Sequence, residues 1–521
     1  MFHAKIDRRA ERDADPGCVE PRAWWQTRAA ALILVLVAAI PLIYPPTLPL
    51  VDVPGHMARY RVELDLQHST DLQRYFTFNW ALIGNLGVDV LIIPLGKLFG
   101  LELATRLIAL SIPALTVAGF LAVAGAVHRR VPATALFALP LAYSQPMSFG
   151  FLNYALSMAL ALLAFAWWLR LTQQSRFRAR AATFAPLSIL LFFVHAYGWA
   201  FFCLLAFTSE LVRARAAQPW LRATGNAVRD CLPLSLPVLF MAVWRAGSHV
   251  PSLLHWSPPN VKAFWLIGIF RYNNRPVEMA FAFFILCAVP ILLVRLKARP
   301  SGFMLATSGA LLAAFLTLPW MVFGSAFADM RLAPYVVAIA ILAFGASRAR
   351  PATANRIAIA ACAVYAAFLV GRTVQFAEAA KDQQLQLAAL THIPTGASVV
   401  SLVGSDCRNV WDLPVNSHLG SYVTTRRRGF SNDQWLTPGA SLLALRGERK
   451  GYFTMDPSEM VFPKGCPERP FPTVDRAIAR VPTDPADYLW LIDIQSEDAR
   501  LLEGWRQVWR YRDSALYRRV A

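Results

Sequence analysis

A succession of long apolar blocks, separated by short arginine clusters, limits this chain to few folds. The blocks lie at about 29–49, 83–99, 104–127, 133–147, 151–169, 182–211, 231–246, 278–295, 303–323, 332–347 and 356–374. In hydrocarbon a backbone must satisfy its own polar groups, so stretches of this kind become helices that cross or line a bilayer. Charged residues make up 16% of the 521 residues, against about 25% in an ordinary soluble protein. The expectation is a mainly α, polytopic helical bundle of about 11 spans. Block 182–211 is long enough for two short helices, with His195 and Tyr197 where they would meet.

The net charge of +19 does not point to nucleic acid. The basic residues gather between apolar blocks, as Arg170/Arg176/Arg178/Arg180, Arg213/Arg215/Arg222/Arg229, Arg295/Lys297/Arg299 and Arg348/Arg350/Arg356. That is the positive-inside pattern of cytoplasmic loops. Residues 1–28, including Cys18, read as a disordered cytoplasmic tail, and block 29–49 as a retained anchor without a small-residue cleavage site. His128-Arg129-Arg130 leaves two schemes open. Either 83–99 re-enters the membrane, or it crosses and 133–169 forms one broken crossing. Both put the N-terminus in the cytoplasm and the C-terminus outside. The membrane region is then 29–377, with a first outer loop at 50–82 and an extracytoplasmic α/β domain at 378–521. In that domain Ala397–Val403 and Tyr488–Ile492 read as buried strands, and Val508–Arg512 with Ala515–Arg519 as a terminal hairpin around Asp513-Ser514. Cys407 and Cys466 are its natural disulfide pair if it lies outside the cytoplasm. The absence of a convincing internal repeat argues against repeat-built transporters.

The unusual polar residues collect on the outer side in this topology. Leu50-Val51-Asp52-Val53-Pro54-Gly55-His56-Met57-Ala58-Arg59-Tyr60 follows the first block. On a helix Asp52, His56 and Arg59 share one face. Gln145 and Asn153 flank a turn, His249, His255, Arg271, Asn273, Asn274 and Arg275 lie at 247–277, and Asp329 and Arg331 lie in a short loop. Ionisable groups at membrane depth are costly, so their convergence marks a site. Arginines at such a rim suit a phosphate. Each has a plainer reading. Asp52 before Pro54 caps a helix; His195 bonds a neighbouring helix; Asp329 and Arg331 pair with each other. Arg271 and Arg275 touch lipid head groups, and Arg426-Arg427-Arg428 forms a solvated face.

No Walker A, dinucleotide loop, HExxH, Cys-x-x-Cys or Gly-x-Ser-x-Gly motif is present. Chemistry here needs an activated donor already in the membrane.

The order of tail, first span, acidic outer loop, many spans and extracytoplasmic α/β domain resembles the GT-C superfamily of membrane glycosyltransferases. In that superfamily an acidic residue of the first outer loop acts as base or orients substrate, and Asp52 matches it by position. The resemblance implies a bacterial inner-membrane enzyme that moves a sugar from a polyprenyl-phosphate donor to a lipid, glycan or protein acceptor. Asp52 would be the base and His56 its assistant. Arg331, with Arg59 or Arg271 as understudies, would meet the phosphate, and Asn153 and His195 would line the substrate site. No cofactor is required, although a divalent cation stays open, because many members carry two adjacent acids. Here Val53 follows Asp52, with Glu63, Asp65 and Asp89 as possible substitutes. A transporter or flippase, or a non-catalytic scaffold of the same fold, is the alternative.

Overall fold

The apolar blocks fold into helices that pack round one core shared with the C-terminal sheet. The computed structural model describes residues 22–246, 255–322, 325–345, 350–436, 441–446, 457–467, 470–481, 486–494 and 499–520. Cys18, His249, Arg348 and most of the expected tail lie outside the described residues.

Among the described residues, five helices are long and apolar enough to cross a membrane: Leu101–His128, Leu152–Gln173, Phe177–Val194, Arg275–Arg295 and Pro351–His392. The bent pair Trp220–Ser235 and Pro237–Trp244 makes a sixth if counted as one span. Arg28–Ile43 and Gly302–Thr317 are shorter apolar helices. The block at 83–99 forms helix Gly87–Phe99, about 20 Å long at 1.5 Å per residue and well short of a ~30 Å hydrocarbon core. Block 133–147 becomes a 3-10 helix, Ala133–Tyr143, with every residue buried. The long block breaks where its polar residues stand. Phe177–Val194 ends at His195, which adopts extended backbone and caps Ala196–Arg215.

The C-terminal unit is a mixed sheet. Strand β2 (Ser398–Gly404) pairs in parallel with β3 (Phe430–Ser431), β5 (Met460–Val461) and β6 (Tyr488–Ile492). Strand β8 (Ser514–Arg519) lies antiparallel between β6 and β7 (Trp505–Tyr511). Strands β2 and β6 are buried almost throughout, which is why they read as mostly apolar runs rather than alternating ones.

The first loop joins this unit to the bundle. Its β1 (Phe76–Phe78) pairs antiparallel with β4 (Leu443–Leu445), and Tyr75 donates to the Gly396 carbonyl at 2.7 Å. The arginine run expected as a solvated face serves the same junction. Arg426 pairs with Glu102 at 2.8 Å, Arg428 with Asp65 at 2.9 Å, and Arg427 donates to the Leu390 carbonyl. Each guanidinium meets an oxygen supplied by a distant part of the chain, which local sequence does not specify.

Candidate functional site

Asp52 opens the helix Val53–Asp65, with Pro54 in its first turn. Proline suits that position, because its ring pre-sets φ and its missing N–H has no helical partner there. The Asp52 side chain makes no capping hydrogen bond, so capping does not account for it. Its backbone N–H donates to the Phe149 carbonyl at 2.8 Å, tying the loop to the turn at 145–150. That turn needs Gly150, which has φ +86° and a missing Cβ that would lie 3.3 Å from the Asp52 nitrogen.

The Asp52 carboxylate faces an imidazole that the sequence reading missed. His418 Nε2 lies 3.9 Å from Asp52 Oδ1, and the two side chains are 6% and 14% exposed, so a small group can still reach the pair. The other ring nitrogen, Nδ1, is 2.9 Å from the Asp433 carbonyl. Trp435 stands between His418 and His56, with ring centroids 4.5 and 4.9 Å away. It fits because Gly55 has no side chain: a Cβ there would be 2.6 Å from the Trp435 ring.

His56 sits one turn beyond Asp52. Burial, and then the charges of Arg59, His418 and Arg331, hold its pKa well below the ordinary value. It is therefore neutral at pH 7, and its buried Nδ1 has no hydrogen-bond partner among the described residues.

Arg331 lies in the first turn of helix Ala328–Leu342. Its guanidinium donates to Ser325 Oγ at 2.6 Å and lies 4.1 Å over the Phe151 ring. Asp329 is not its partner. Asp329 pairs with buried Lys262 at 3.2 Å, and Asp52 is the carboxylate within electrostatic reach of Arg331.

A cavity of about 270 Å³ is lined by Arg331, Ser325, His195, Tyr197 and Asn85 within a mostly apolar wall that includes Trp199, Leu204, Met241, Trp244, Leu311 and Leu318. His195 accepts from the Tyr197 N–H at 3.1 Å and meets the Tyr154 ring edge-on. It caps its own helix instead of bonding a neighbour.

Asp52, His56, Arg331 and His195 thus belong to one neighbourhood, and the remaining expected site residues are occupied elsewhere. Arg59 forms a buried pair with Asp89 at 2.9 Å, and Asn153 donates to the same carboxylate at 3.1 Å. Arg271 donates to the carbonyls of Trp411 and Asp412, holding a C-terminal loop against the bundle. Burial pushes its pKa down to about 10. Asp65 pairs with Arg61 and Arg428. Glu63 lies beside Asp89 and Arg59, and burial raises its carboxyl to about 9. The three acids considered as substitutes for a second catalytic carboxylate are therefore each paired with arginine or protonated.

Cys407 and Cys466 form a disulfide, with Cα atoms 6.0 Å apart. Among the described residues, the one cluster with metal-ligand spacing is Asp406, Cys407 and Cys466. Its two sulfurs are bonded to each other, so it offers no thiolates.

No family model matches the sequence, and no curated protein matches it. Solved structures do. The apo crystal structure of ArnT from Cupriavidus metallidurans matches with a TM-score of 0.51 at 14% identity, over 94% of this chain and 96% of that one. The chain has the fold of ArnT. A many-helix bundle with a C-terminal sheet-bearing unit, expected from the order of its segments, is what the two chains share over nearly their whole length. The crystal structure of ArnT bound to undecaprenyl phosphate matches at 0.48, with 14% identity over 95% of this chain and 97% of ArnT. His418, Trp435 and Lys262 carry no sequence signal comparable to the Asp52 segment. Asp52 and His418 are 366 residues apart in the chain and meet only because the C-terminal unit packs on the first-loop helix.

Proposed function

We propose that this chain is a membrane glycosyltransferase that takes a sugar from a polyprenyl-phosphate donor and passes it to a lipid, glycan or protein acceptor at the outer face of the bacterial inner membrane. The observation that carries the reading is the cavity. It is apolar along most of its wall and includes a buried arginine in its lining, the chemistry of an isoprenoid chain with a phosphate head. A carboxylate, Asp52, stands within electrostatic reach of that same arginine. A soluble sugar nucleotide would have little use for such a wall.

The transfer in this reading is inverting. Asp52 orients the acceptor nucleophile and draws off its proton, which requires hydrogen-bond reach in the substrate complex. Arg331 stabilises the phosphate as it leaves with the bonding electrons, and a buried guanidinium is effective because little water screens it. His56, held neutral, serves as a hydrogen-bonding neighbour of Asp52. Arg59, Asn153 and Arg271 hold the frame. Neither a nucleotide nor a metal is needed for the leaving group to depart.

The test is transfer of label from radiolabelled polyprenyl-phosphate sugars in membranes, comparing wild type with Asp52→Asn at matched expression. Loss of a general base removes about 10²–10⁴-fold of rate, so label should move to a new product with wild type alone. Equal transfer by both proteins removes Asp52 from the centre. No transfer by either, across several donors, returns the chain to the flippase and scaffold readings.

A further inference from the structure

We propose that the C-terminal unit supplies the second half of the proton-accepting device, with His418 acting through Asp52 as its proton partner. This rests on the transferase reading above.

The geometry is that of an oriented imidazole. With Nδ1 bonded to the Asp433 carbonyl at 2.9 Å, the neutral ring carries its proton on Nδ1 and turns the Nε2 lone pair toward Asp52. The 3.9 Å separation is longer than a hydrogen bond, as catalytic contacts often are before substrate tightens them. The support behind the ring is rigid. Asn432 Oδ1 accepts from the Ser401 N–H of β2 at 2.7 Å, and its Nδ2 donates to the Ser401 carbonyl and to Ser458. Gln434 donates to Ser421 Oγ at 2.6 Å. The loop that presents the Asp433 carbonyl and Trp435 is therefore pinned on both sides. Such support is what a histidine needs to be held in one tautomer.

The proton balance is simple. The acceptor hydroxyl attacks the anomeric carbon, a new C–O bond forms, and the bond to the phosphate oxygen breaks with its electron pair. The hydroxyl proton passes to the Asp52–His418 pair, where the imidazolium is stabilised by the Asp52 carboxylate. The groups that bear on this pair are His56 on the first-loop helix, Arg331 on Ala328–Leu342 and the buried Asp433 carboxyl of the same unit.

The experiment is the pH profile of kcat/KM for transfer, in wild type and in His418→Asn. Asparagine keeps a donor for the Asp433 carbonyl and removes Nε2, so a merely structural role survives the change. The expected result is an acid limb in wild type between about pH 5 and 8, where imidazoles titrate. In His418→Asn that limb is lost and transfer at pH 7 falls about 10- to 100-fold, with the donor KM unchanged. A His418→Asn enzyme with the wild-type rate and profile overturns the proposal and leaves the transferase reading intact. A wild-type profile with no limb in that window overturns it even if the variant fails to fold. Wild type that transfers from no polyprenyl-phosphate donor refutes both.

Discussion

Glu63 offers a test of the electrostatics beneath the site. It lies on the first-loop helix one turn beyond Arg59, and neither carboxyl oxygen has a hydrogen-bond partner among the described residues. Burial first, and then the negative charge of Asp89, raise its carboxyl from 4.5 to about 9, with Arg59 opposing them. The sign follows from proton counting. Below about pH 4.5 both folded and unfolded chains hold this proton, and the group is neutral to stability. Between 4.5 and about 9 the unfolded chain has released it and the folded chain has not, so stability falls as pH rises through that window. At about 1.4 kcal/mol per pH unit, keeping the proton to pH 7 costs at most roughly 3 kcal/mol. Partial exposure and polar neighbours reduce this to about 1–2 kcal/mol. Glu63→Gln has no proton to hold. It should therefore raise the apparent Tm in detergent at pH 7 by roughly 1–4 °C. The difference from wild type should vanish near pH 4.5 and level off near pH 9. Because the two proteins differ at one group, other titrations cancel in the comparison. A difference that stays flat from pH 5 to 9, or a variant less stable throughout, refutes a buried, protonated Glu63.

Two other perturbations probe the walls of the site. Gly55→Ala puts a Cβ 2.6 Å from the Trp435 ring, which His56 and His418 flank, so the ring must retreat by about 1 Å to reach ordinary contact. Overpacking of this kind costs about 1–3 kcal/mol and outweighs the ~1 kcal/mol that alanine gains in a helix. The apparent Tm should fall and recover in Gly55→Ala/Trp435→Leu, and a stable single variant would refute the contact. Cys407→Ser with Cys466→Ser opens a closure of 59 residues and should cost roughly 4 kcal/mol. Reduction of wild type that leaves its apparent Tm unchanged would contradict this.

What was legible in the sequence is what hydrophobic pattern alone fixes. The break at His195 follows from a block too long for one span, interrupted by an imidazole. Strands β2 and β6 follow from short, mostly apolar runs, and the β7–β8 hairpin turns at Asp513 as expected. Arg331 stands out in the sequence only as one of the charged residues that collect in the loops beside the apolar blocks. Pairing was not legible, because partners are chosen by tertiary packing. Asp329 and Arg331 look like an ion pair in sequence, yet Lys262 takes Asp329 from a helix 67 residues away. Arg59 looks like a phosphate ligand until Asp89 takes it. That substitution of partners shapes the chemistry. A guanidinium neutralised by its own buried carboxylate has little attraction left for a substrate phosphate, whereas Arg331 is not held by Asp329, the acid two residues before it, which pairs with Lys262 instead. The same logic governs the carboxylate. The Asp52 motif lacks a second acid, and the fold sets an imidazole beside the first one. A carboxylate beside a histidine lacks the charge–charge repulsion of two carboxylates, so this pair does not call for a bridging cation to offset it.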